Sequence, residues 1–252
     1  MTEQKHEKID FGFKDIPVEE KQGKVGEIFT NVAPKYDLMN DAMSFGMHRL
    51  WKRYLIKLAG IKPKHKICDL ASGTGDVAML LTKELGDTGG NVIMSDINKE
   101  MLDIGYDKIF DAGLSHLVEP VVANSESLPF ADSSFDLVTM VFGLRNITDK
   151  KRALSEMHRI VKPGGTVLVM EFSKPKSSLI SYAYDKYSFN VIPGLGKFFA
   201  GDSESYRYLV ESIRRHPNQE QLQEWFYEAG FDSCSITNLS SGVVAIHKGV
   251  KY

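Results

Sequence analysis

A glycine-rich stretch at positions 67–78, ICDLASGTGDVA, contains residue types that can hold a nucleoside cofactor. Gly73, Gly75 and Ala78 satisfy the spacing G-x-G-x-x-G/A, which lets the backbone turn tightly and approach a ligand closely. Asp96 follows about 20 residues further on, where a ribose-binding carboxylate is expected. The same letters suit a dinucleotide or another nucleoside, and a lone Gly-x-Gly turn is often only a strand–helix connection. The stretch therefore predicts a cofactor loop without naming the cofactor.

The segments around this loop alternate between short apolar runs and longer amphipathic ones. The runs predicted as buried strands are KICDLA, NVIMSDI, VEPVVAN, FDLVTMVFGL and GTVLVMEF. Helices are predicted over Asp76–Leu85, over Lys99–Ala112 and over DKKRALSEMHRIV, which KPGG terminates. Strands that are apolar along their whole length are typical of a parallel sheet covered on both faces. The alternation predicts a doubly wound α/β sheet.

The rest of the chain predicts a single domain over residues 21–252, after a charged, flexible tail over residues 1–20. Residues 21–60 have helical patterns and residues 173–217 form an irregular insertion, and both are predicted to build a lid. Near the end, NQEQLQEWFYEAG predicts a helix, and the strand-like runs FDSCSITNL and GVVAIHKGV follow it. Only a few residues join these two runs, so they must form an antiparallel hairpin. The insertion holds eight aromatic residues: Tyr182, Tyr184, Tyr187, Phe189, Phe198, Phe199, Tyr206 and Tyr208.

Composition narrows the class of protein. The 252 residues carry a net charge of −2, which gives no global electrostatic reason to expect nucleic acid as a partner. Cys68 and Cys234 are far apart in apolar runs, which indicates buried free thiols in a reducing compartment rather than a metal site. No apolar run reaches the length of a membrane span, and the charged start is unlike a signal peptide. We therefore expect a cytoplasmic enzyme or binding protein without a metal.

Three features bear on the choice of cofactor. The sheet ends in an antiparallel hairpin, whereas an ordinary dinucleotide-binding half ends in a parallel strand. Asp69 ends the first strand, where it would repel a pyrophosphate but could accept a hydrogen bond from an ammonium group. Asn124 and Ser125 follow the third strand and could bond an adenine edge, although both are also common turn formers. Asp96 could likewise be only a helix cap.

The order DLASGTGD, SDIN, ANSESLPF, SFDLV and KPGG resembles the class I S-adenosylmethionine-dependent methyltransferases. The resemblance implies a Rossmann-like sheet of seven mostly parallel strands whose last strand is antiparallel. It also implies S-adenosyl-L-methionine as cofactor, with its amino-acid end against the loop of Gly73, Thr74 and Gly75. Asp96 would then bond the ribose hydroxyls, and Asn124 with Ser125 would flank adenine.

Two further stretches, YDLMNDAMSFGMHRLW and RIVKPGGTVLVMEFS, resemble signatures of the ubiquinone/menaquinone biosynthesis C-methyltransferases, the UbiE family. The resemblance extends from Val25 to Tyr252. Ala71 and Val141 depart from the usual Gly and Ser, so no polar contact is expected at Val141. The family implies methylation of a ring carbon of a prenylated quinol, either demethylmenaquinol or a 2-methoxy-6-polyprenyl-1,4-benzoquinol. A methyltransferase for another small phenol or an amine, and a non-catalytic subunit of a quinone-synthesis assembly, are the alternatives.

The chemistry needs a group that stabilises a phenolate and a base or water relay near the hydroxyl. Arg145 and Asn146 leave the fourth strand where its carboxyl end should face the crevice, and they are the catalytic candidates. His48 is the third candidate because of its pKa, although a histidine on an amphipathic helix is more often structural. Tyr206 and Arg207 are weaker candidates.

A lipid acceptor implies transient contact with a membrane surface, and we expect the protein to be cytoplasmic or peripheral to the inner membrane. Lys52, Arg53 and Lys57 are possible cationic contributors, although such charges are usually only a solvated face. A homodimer or membership of a quinone-synthesis assembly is left open by the sequence.

Overall fold

A computed structural model of the chain describes residues 8–173 and 203–252. Six of the eight aromatic residues of the predicted insertion, positions 182–199, lie outside these ranges, as does most of the predicted lid. In the described part, no helix is long and apolar enough to cross a membrane.

The central element is a seven-stranded sheet, which confirms the predicted fold class. Its strands lie in the order β5-β4-β3-β6-β7-β9-β8, and all neighbours are parallel except for β9, which runs antiparallel to both β7 and β8. The strand bounds are β3 Lys66–Leu70, β4 Asn91–Asp96, β5 Val118–Val122, β6 Phe135–Val141, β7 Val161–Phe172, β8 Ser233–Leu239 and β9 Val244–Val250. A tight turn over Ser240–Gly242 joins β8 to β9, as the short link predicts.

Eight helices surround the sheet in the described residues. Their bounds are α1 Val18–Val32, α2 Tyr36–Ser44, α3 Met47–Ala59, α4 Asp76–Leu85, α5 Lys99–Asp111, α6 Lys150–Ile160, α7 Ser203–Arg215 and α8 Gln219–Glu228. Alternate residues of each strand point to opposite faces, so that Ile67 joins one core cluster and Cys68 the other. Helices α3, α4, α5 and α7 contribute to the first cluster, and α6 and α8 to the second. Both faces of the sheet are therefore covered, which explains why its strands are apolar throughout.

The predicted flexible tail is ordered over Lys8–Pro17. This segment forms an antiparallel hairpin of β1 (Lys8–Phe11) and β2 (Lys14–Pro17), turning at Gly12. Phe11 stacks on Tyr208 of α7 with ring centroids 4.6 Å apart, and Arg215 of α7 donates to the Gly12 carbonyl. The many charged residues of the segment predicted a flexible tail. That prediction was wrong for Lys8–Pro17, because a few of its residues pack against a helix nearly 200 positions later in the chain.

The end of the predicted irregular insertion is a regular helix, α7. Its apolar residues recur at helical spacing, and Tyr206, Leu209 and Ile213 are buried in the first core cluster. Tyr206 and Tyr208 therefore belong to the core of the domain. The predicted strand KICDLA and helix 99–112 agree with β3 and α5 to within one residue.

Candidate active site

The carboxyl ends of β3, β4 and β5 meet at one edge of the sheet, where parallel α/β proteins bind ligands. Two adjoining cavities lie there. The large cavity, of about 770 Å³ when its solvent-open mouth is included, has Asp96, Asn124 and Ser125 in its lining. The small cavity, of about 360 Å³ on the same basis, is lined by residues that include Asp69 and Thr74. The walls common to both cavities are Tyr36, Ala71, Gly73 and Phe142, so the two form one continuous crevice.

The glycine-rich loop is shaped by left-handed backbone at Gly73 and Gly75, whose φ angles are +56° and +77°. Gly75 also needs the absence of a side chain, because a Cβ there would lie 3.1 Å from the Cα of Gly105 in α5. In turn, a Cβ on Gly105 would lie 2.8 Å from the Thr74 carbonyl carbon. The loop and α5 therefore touch backbone to backbone. The contribution of Gly105 was missed by the sequence analysis, although a glycine inside an amphipathic helix is the signal of such an approach.

Asp96 lies at the end of β4, and each of its two carboxylate oxygens accepts a hydrogen bond from a backbone amide. Its Oδ2 accepts from the Gly73 N–H at 2.8 Å and its Oδ1 from the Asn98 N–H at 2.8 Å. Burial raises the pKa of this carboxyl group, and hydrogen bonds from the backbone of Asn98, Gly73 and Ile97 oppose that shift. The carboxylate borders the large cavity, and the backbone does not occupy all of its roughly four lone-pair sites. Asp96 can thus accept a hydrogen bond from a ligand hydroxyl group.

Asp69 is the deepest acidic group of the small cavity. It is 1% exposed and accepts hydrogen bonds from Ser72 Oγ and Thr139 Oγ1, each at 2.6 Å. Burial raises the pKa of Asp69 to about 6. Lys52 borders the same cavity, and its Nζ donates to Asp76 Oδ2 at 2.8 Å. A buried carboxylate and an ammonium group in one small cavity suit a zwitterionic amino-acid moiety.

Lys52 is therefore not the exposed cation that the sequence analysis considered for membrane contact. It lies on the buried side of α3 and is only 6% exposed, whereas Arg53 and Lys57 of the same helix face solvent. The helical position alone did not indicate this, because the burial of Lys52 depends on Asp76, which lies 24 residues later.

Thr74 borders the small cavity, and its hydroxyl group is used within the protein. Oγ1 donates to Asp37 Oδ1 at 2.8 Å, and Oδ2 of Asp37 accepts from Lys108 Nζ at 2.5 Å. Asp37 belongs to α2 and Lys108 to α5, so these bonds join two helices to the cofactor loop. Asp37 thus bonds across the site to a residue 37 positions later in the chain.

Asn124 and Ser125 border the large cavity, at the position where an adenine-binding pair is expected. Asn124 also forms a turn, since its Oδ1 accepts from the Glu126 N–H at 2.9 Å. Its Nδ2 lies 3.5 Å from Oε1 of Gln22 in α1. Helix α1 supplies four residues to the wall of this cavity: Gln22, Val25, Gly26 and Phe29. No local sequence motif marks this helix as part of the site.

Arg145 and Asn146 lie in a turn directly after β6, as predicted. The guanidinium of Arg145 is buried, donates from Nη1 to Glu171 Oε1 at 2.8 Å, and lies 5.6 Å from the Phe172 ring centroid. Its Nε has no hydrogen-bond partner among the described residues, and Arg145 itself borders neither cavity but lies directly behind the wall that Phe142, Gly143 and Asn146 form. Asn146 borders the large cavity and accepts a hydrogen bond from the hydroxyl of Tyr208 at 3.2 Å.

Tyr36 lies between these groups and the cofactor loop. It borders both cavities, and burial raises its pKa while the positive charge of Arg145 opposes that shift. Glu171 and Tyr36 were not singled out from the sequence. Glu171 ends an apolar strand, and only the fold brings it to Arg145.

His48 borders neither cavity. Its Nε2 lies 2.9 Å from Asp41 Oδ1, and its Nδ1 is buried with no hydrogen-bond partner in the described part of the chain. Burial lowers the pKa of His48. This arrangement favours the structural role over the catalytic one.

Comparison with known proteins gives a consistent result. Residues 17–251 match the model of the ubiE/COQ5 methyltransferase family. A relative from Marinomonas sp., named as a ubiquinone/menaquinone biosynthesis C-methyltransferase UbiE, is 50% identical over 100% of both chains. A relative of the same name from Pseudomonas fluorescens is 52% identical over 96% of this chain and 94% of its own.

Solved structures support the fold. A crystal structure from Thermotoga maritima, described as an S-adenosylmethionine-dependent methyltransferase, matches with a TM-score of 0.62 and 21% identity. The match covers 90% of this chain and 99% of that one. Taken together with the glycine-rich loop and its acidic partners, these similarities show that the chain belongs to the ubiE/COQ5 methyltransferase family.

Proposed function

We propose that this protein transfers a methyl group from S-adenosylmethionine to a ring carbon of a prenylated quinol on the route to menaquinone, ubiquinone or both. The observation that carries the proposal is the identity of about half of all positions, over the full length, with relatives named for this reaction. A second observation supports the proposal independently. The small cavity contains both an acidic and a basic side chain, and it adjoins a large cavity whose walls are mostly apolar.

The residues present fit the cofactor. Asp69 would accept from the ammonium group of its methionine end, and Lys52 would face the carboxylate. Asp96 would accept from the ribose hydroxyls, and Asn124 with Ser125 would border the adenine. When bound, S-adenosylmethionine supplies a methyl group on a positively charged sulfur, which is transferred in line to a nucleophile.

The chain's own residues must make the acceptor carbon nucleophilic. Loss of the ring hydroxyl proton to water moves negative charge onto the carbon next to it, so a fixed positive charge favours this state. After that carbon has accepted the methyl group, it releases its own ring proton to water, and the aromatic ring is restored. Arg145 keeps its charge at every physiological pH, and its buried Nε–H has no hydrogen-bond partner among the described residues. Its positive charge lies next to Asn146, which borders the large cavity. Asn146 accepts from Tyr208, so its amide N–H groups are left for a ring oxygen or a water molecule. Arg145 is thus proposed to stabilise the phenolate, and Asn146 to orient it.

Incubation with labelled S-adenosylmethionine and short-tailed reduced quinols tests the acceptor. Both ring types, a naphthoquinol and a methoxybenzoquinol, are offered separately, and methylated product is measured. Transfer to neither ring with cofactor binding intact would exclude the proposed acceptor. Transfer to a simple phenol or an amine instead would favour the other small-molecule alternative.

Variants of Arg145 test its role. For Arg145→Ala we expect turnover to fall by about 100-fold or more, the usual effect of removing a donor to a developing oxyanion, with cofactor affinity nearly unchanged. Arg145→Lys keeps the charge but loses the planar donor set, and its activity should lie between the two. Loss of cofactor binding in either folded variant would remove Arg145 from the catalytic role.

A further inference from the structure

Helix α3 has an exposed face on which two rows of side chains run side by side. Met47, Leu50 and Tyr54 form an apolar row and are 38%, 54% and 44% exposed, respectively. Arg53 and Lys57 lie in the adjacent row, at a spacing of four residues. Large apolar side chains exposed in a row on one helix are unusual for a surface that faces only water.

The charge around this face is one-sided. Residues 47–66 contain seven Lys and Arg residues and no Asp or Glu, in a chain whose net charge is −2. Among the residues that the structure describes, neither Arg53 nor Lys57 has a hydrogen bond or an ion pair, whereas Arg49 pairs with Asp41. The cations beside the apolar row are therefore unneutralised, and they complement an anionic surface.

The opposite face of α3 is anchored in the domain. Trp51 donates from its indole N–H to Ser240 Oγ at 3.0 Å, and Leu55 is fully buried. Lys52, on the same inner side, borders the small cavity of the active site. The exposed face consequently lies about one helix diameter, roughly 10 Å, from the cofactor crevice.

We propose that this face of α3, formed by Met47, Leu50, Arg53, Tyr54 and Lys57, docks onto the surface of an anionic lipid bilayer. A helix with an apolar row beside a cationic row lies in the plane of a membrane interface, with its apolar side chains among the acyl chains and its cations at the headgroups. Docking of this kind places the active site next to the bilayer that holds a prenylated acceptor. The proposal depends on the proposed function only for the reason why docking is useful.

Sedimentation of the full-length protein with vesicles tests the proposal without substrate. We expect binding to vesicles that contain phosphatidylglycerol, weaker binding to phosphatidylcholine alone, and release by salt. Arg53→Glu/Lys57→Glu should weaken binding by at least about 25-fold, at roughly fivefold for each lost cation. Leu50→Gln/Tyr54→Gln should weaken it as well. Lys8→Glu/Lys83→Glu changes the net charge equally at exposed sites elsewhere and should bind like the unaltered protein.

Turnover of a short-tailed quinol in solution separates this surface from the active site. All the variants should keep that activity, because none of the altered residues borders either cavity. Three results would overturn the proposal: the unaltered protein fails to bind anionic vesicles, the α3 variants bind them equally well, or the α3 variants convert a dimer to a monomer. The last result would assign this face to a second copy of the chain.

Discussion

Arg145 and Glu171 form a buried ion pair, with Nη1 of the arginine 2.8 Å from Oε1 of the glutamate and both side chains at most 3% exposed. Arg145 follows β6, and Glu171 lies near the end of β7, the neighbouring strand. Because β6 and β7 are paired in the sheet, the ion pair holds the guanidinium of Arg145, the proposed phenolate-stabilising group, in a fixed position.

Removal of one partner from this pair should leave a buried, uncompensated charge. We expect Glu171→Gln to lower the free energy of unfolding by about 3 kcal/mol, and the double variant Arg145→Met/Glu171→Gln to regain most of that loss. Denaturant unfolding measures both. Glu228→Gln is the matched control, because the Lys151–Glu228 pair is 2.6 Å long but exposed and should contribute at most about 1 kcal/mol. Equal losses in the free energy of unfolding for Glu171→Gln and Glu228→Gln would contradict the claim that burial makes the Arg145–Glu171 pair more sensitive to loss of a partner.

Asp69 should make the cofactor-free protein less stable above pH 6. Its folded-state pKa of about 6 exceeds the ordinary aspartate pKa of 3.8, so the stabilisation present at low pH is lost as the pH rises through 6. Burial is the main cause of the shift, and the hydrogen bonds from Ser72 and Thr139 partly offset it. The net rise in pKa limits this loss to about 3 kcal/mol. Asp69→Asn should therefore be the more stable protein at pH 7.5, and the difference should shrink towards pH 4. Thermal unfolding across this pH range measures the effect.

The same substitution, Asp69→Asn, should lower the affinity of the protein for S-adenosylmethionine. An ionised Asp69 is the proposed partner of the ammonium group, and loss of a charged hydrogen bond costs about 1.5–3 kcal/mol, or more than tenfold in affinity. Calorimetric titration of S-adenosylmethionine should show affinity falling below pH 6 for the unaltered protein and little pH dependence for Asp69→Asn. A parallel fall in both proteins would show that another group titrates.

Lys52 should recognise the carboxylate of the cofactor specifically. For Lys52→Met we expect affinity for S-adenosylmethionine to fall about tenfold, the equivalent of one charge-assisted hydrogen bond. Affinity for decarboxylated S-adenosylmethionine should change little. Arg53→Met, at the adjacent but exposed position, is the control and should affect neither ligand. The same loss for both ligands would indicate that Lys52 only supports the loop through Asp76.

Gly105 should be sensitive to a single added methyl group. Gly105→Ala places a Cβ 2.8 Å from both the Thr74 carbonyl carbon and Met94 Cε, so the loop must shift. We expect a loss of about 1–3 kcal/mol in the free energy of unfolding, typical of overpacking, and weaker cofactor binding. Gly23→Ala in α1 meets no atom within 4 Å and should instead stabilise the protein by roughly 0.5–1 kcal/mol. Similar changes in stability for Gly105→Ala and Gly23→Ala would show that the effect at Gly105 reflects helix propensity and not the close contact with the loop.

Local patterns in the sequence were sufficient for much of the fold. The apolar runs and the helix spacing predicted the strands of the sheet and most helices, because burial on both faces imposes a pattern on each segment by itself. The cofactor loop and Asp96 were also predictable, since a tight turn and a strand end are short-range features. The hairpin of β8 and β9 followed from the length of its link alone.

The sequence by itself thus determined the class of fold and the residues that follow each strand, whereas the tertiary structure decided what those residues contact. The pairing of Arg145 with Glu171, the burial of Lys52 against Asp76 and the packing of α1 over the cofactor crevice join positions between 24 and about 100 residues apart. His48 had a suitable pKa for a base, but its packing against Asp41 sets it outside both cavities. These relationships depend on how the helices dock on the sheet, and no local pattern of residues carries that information.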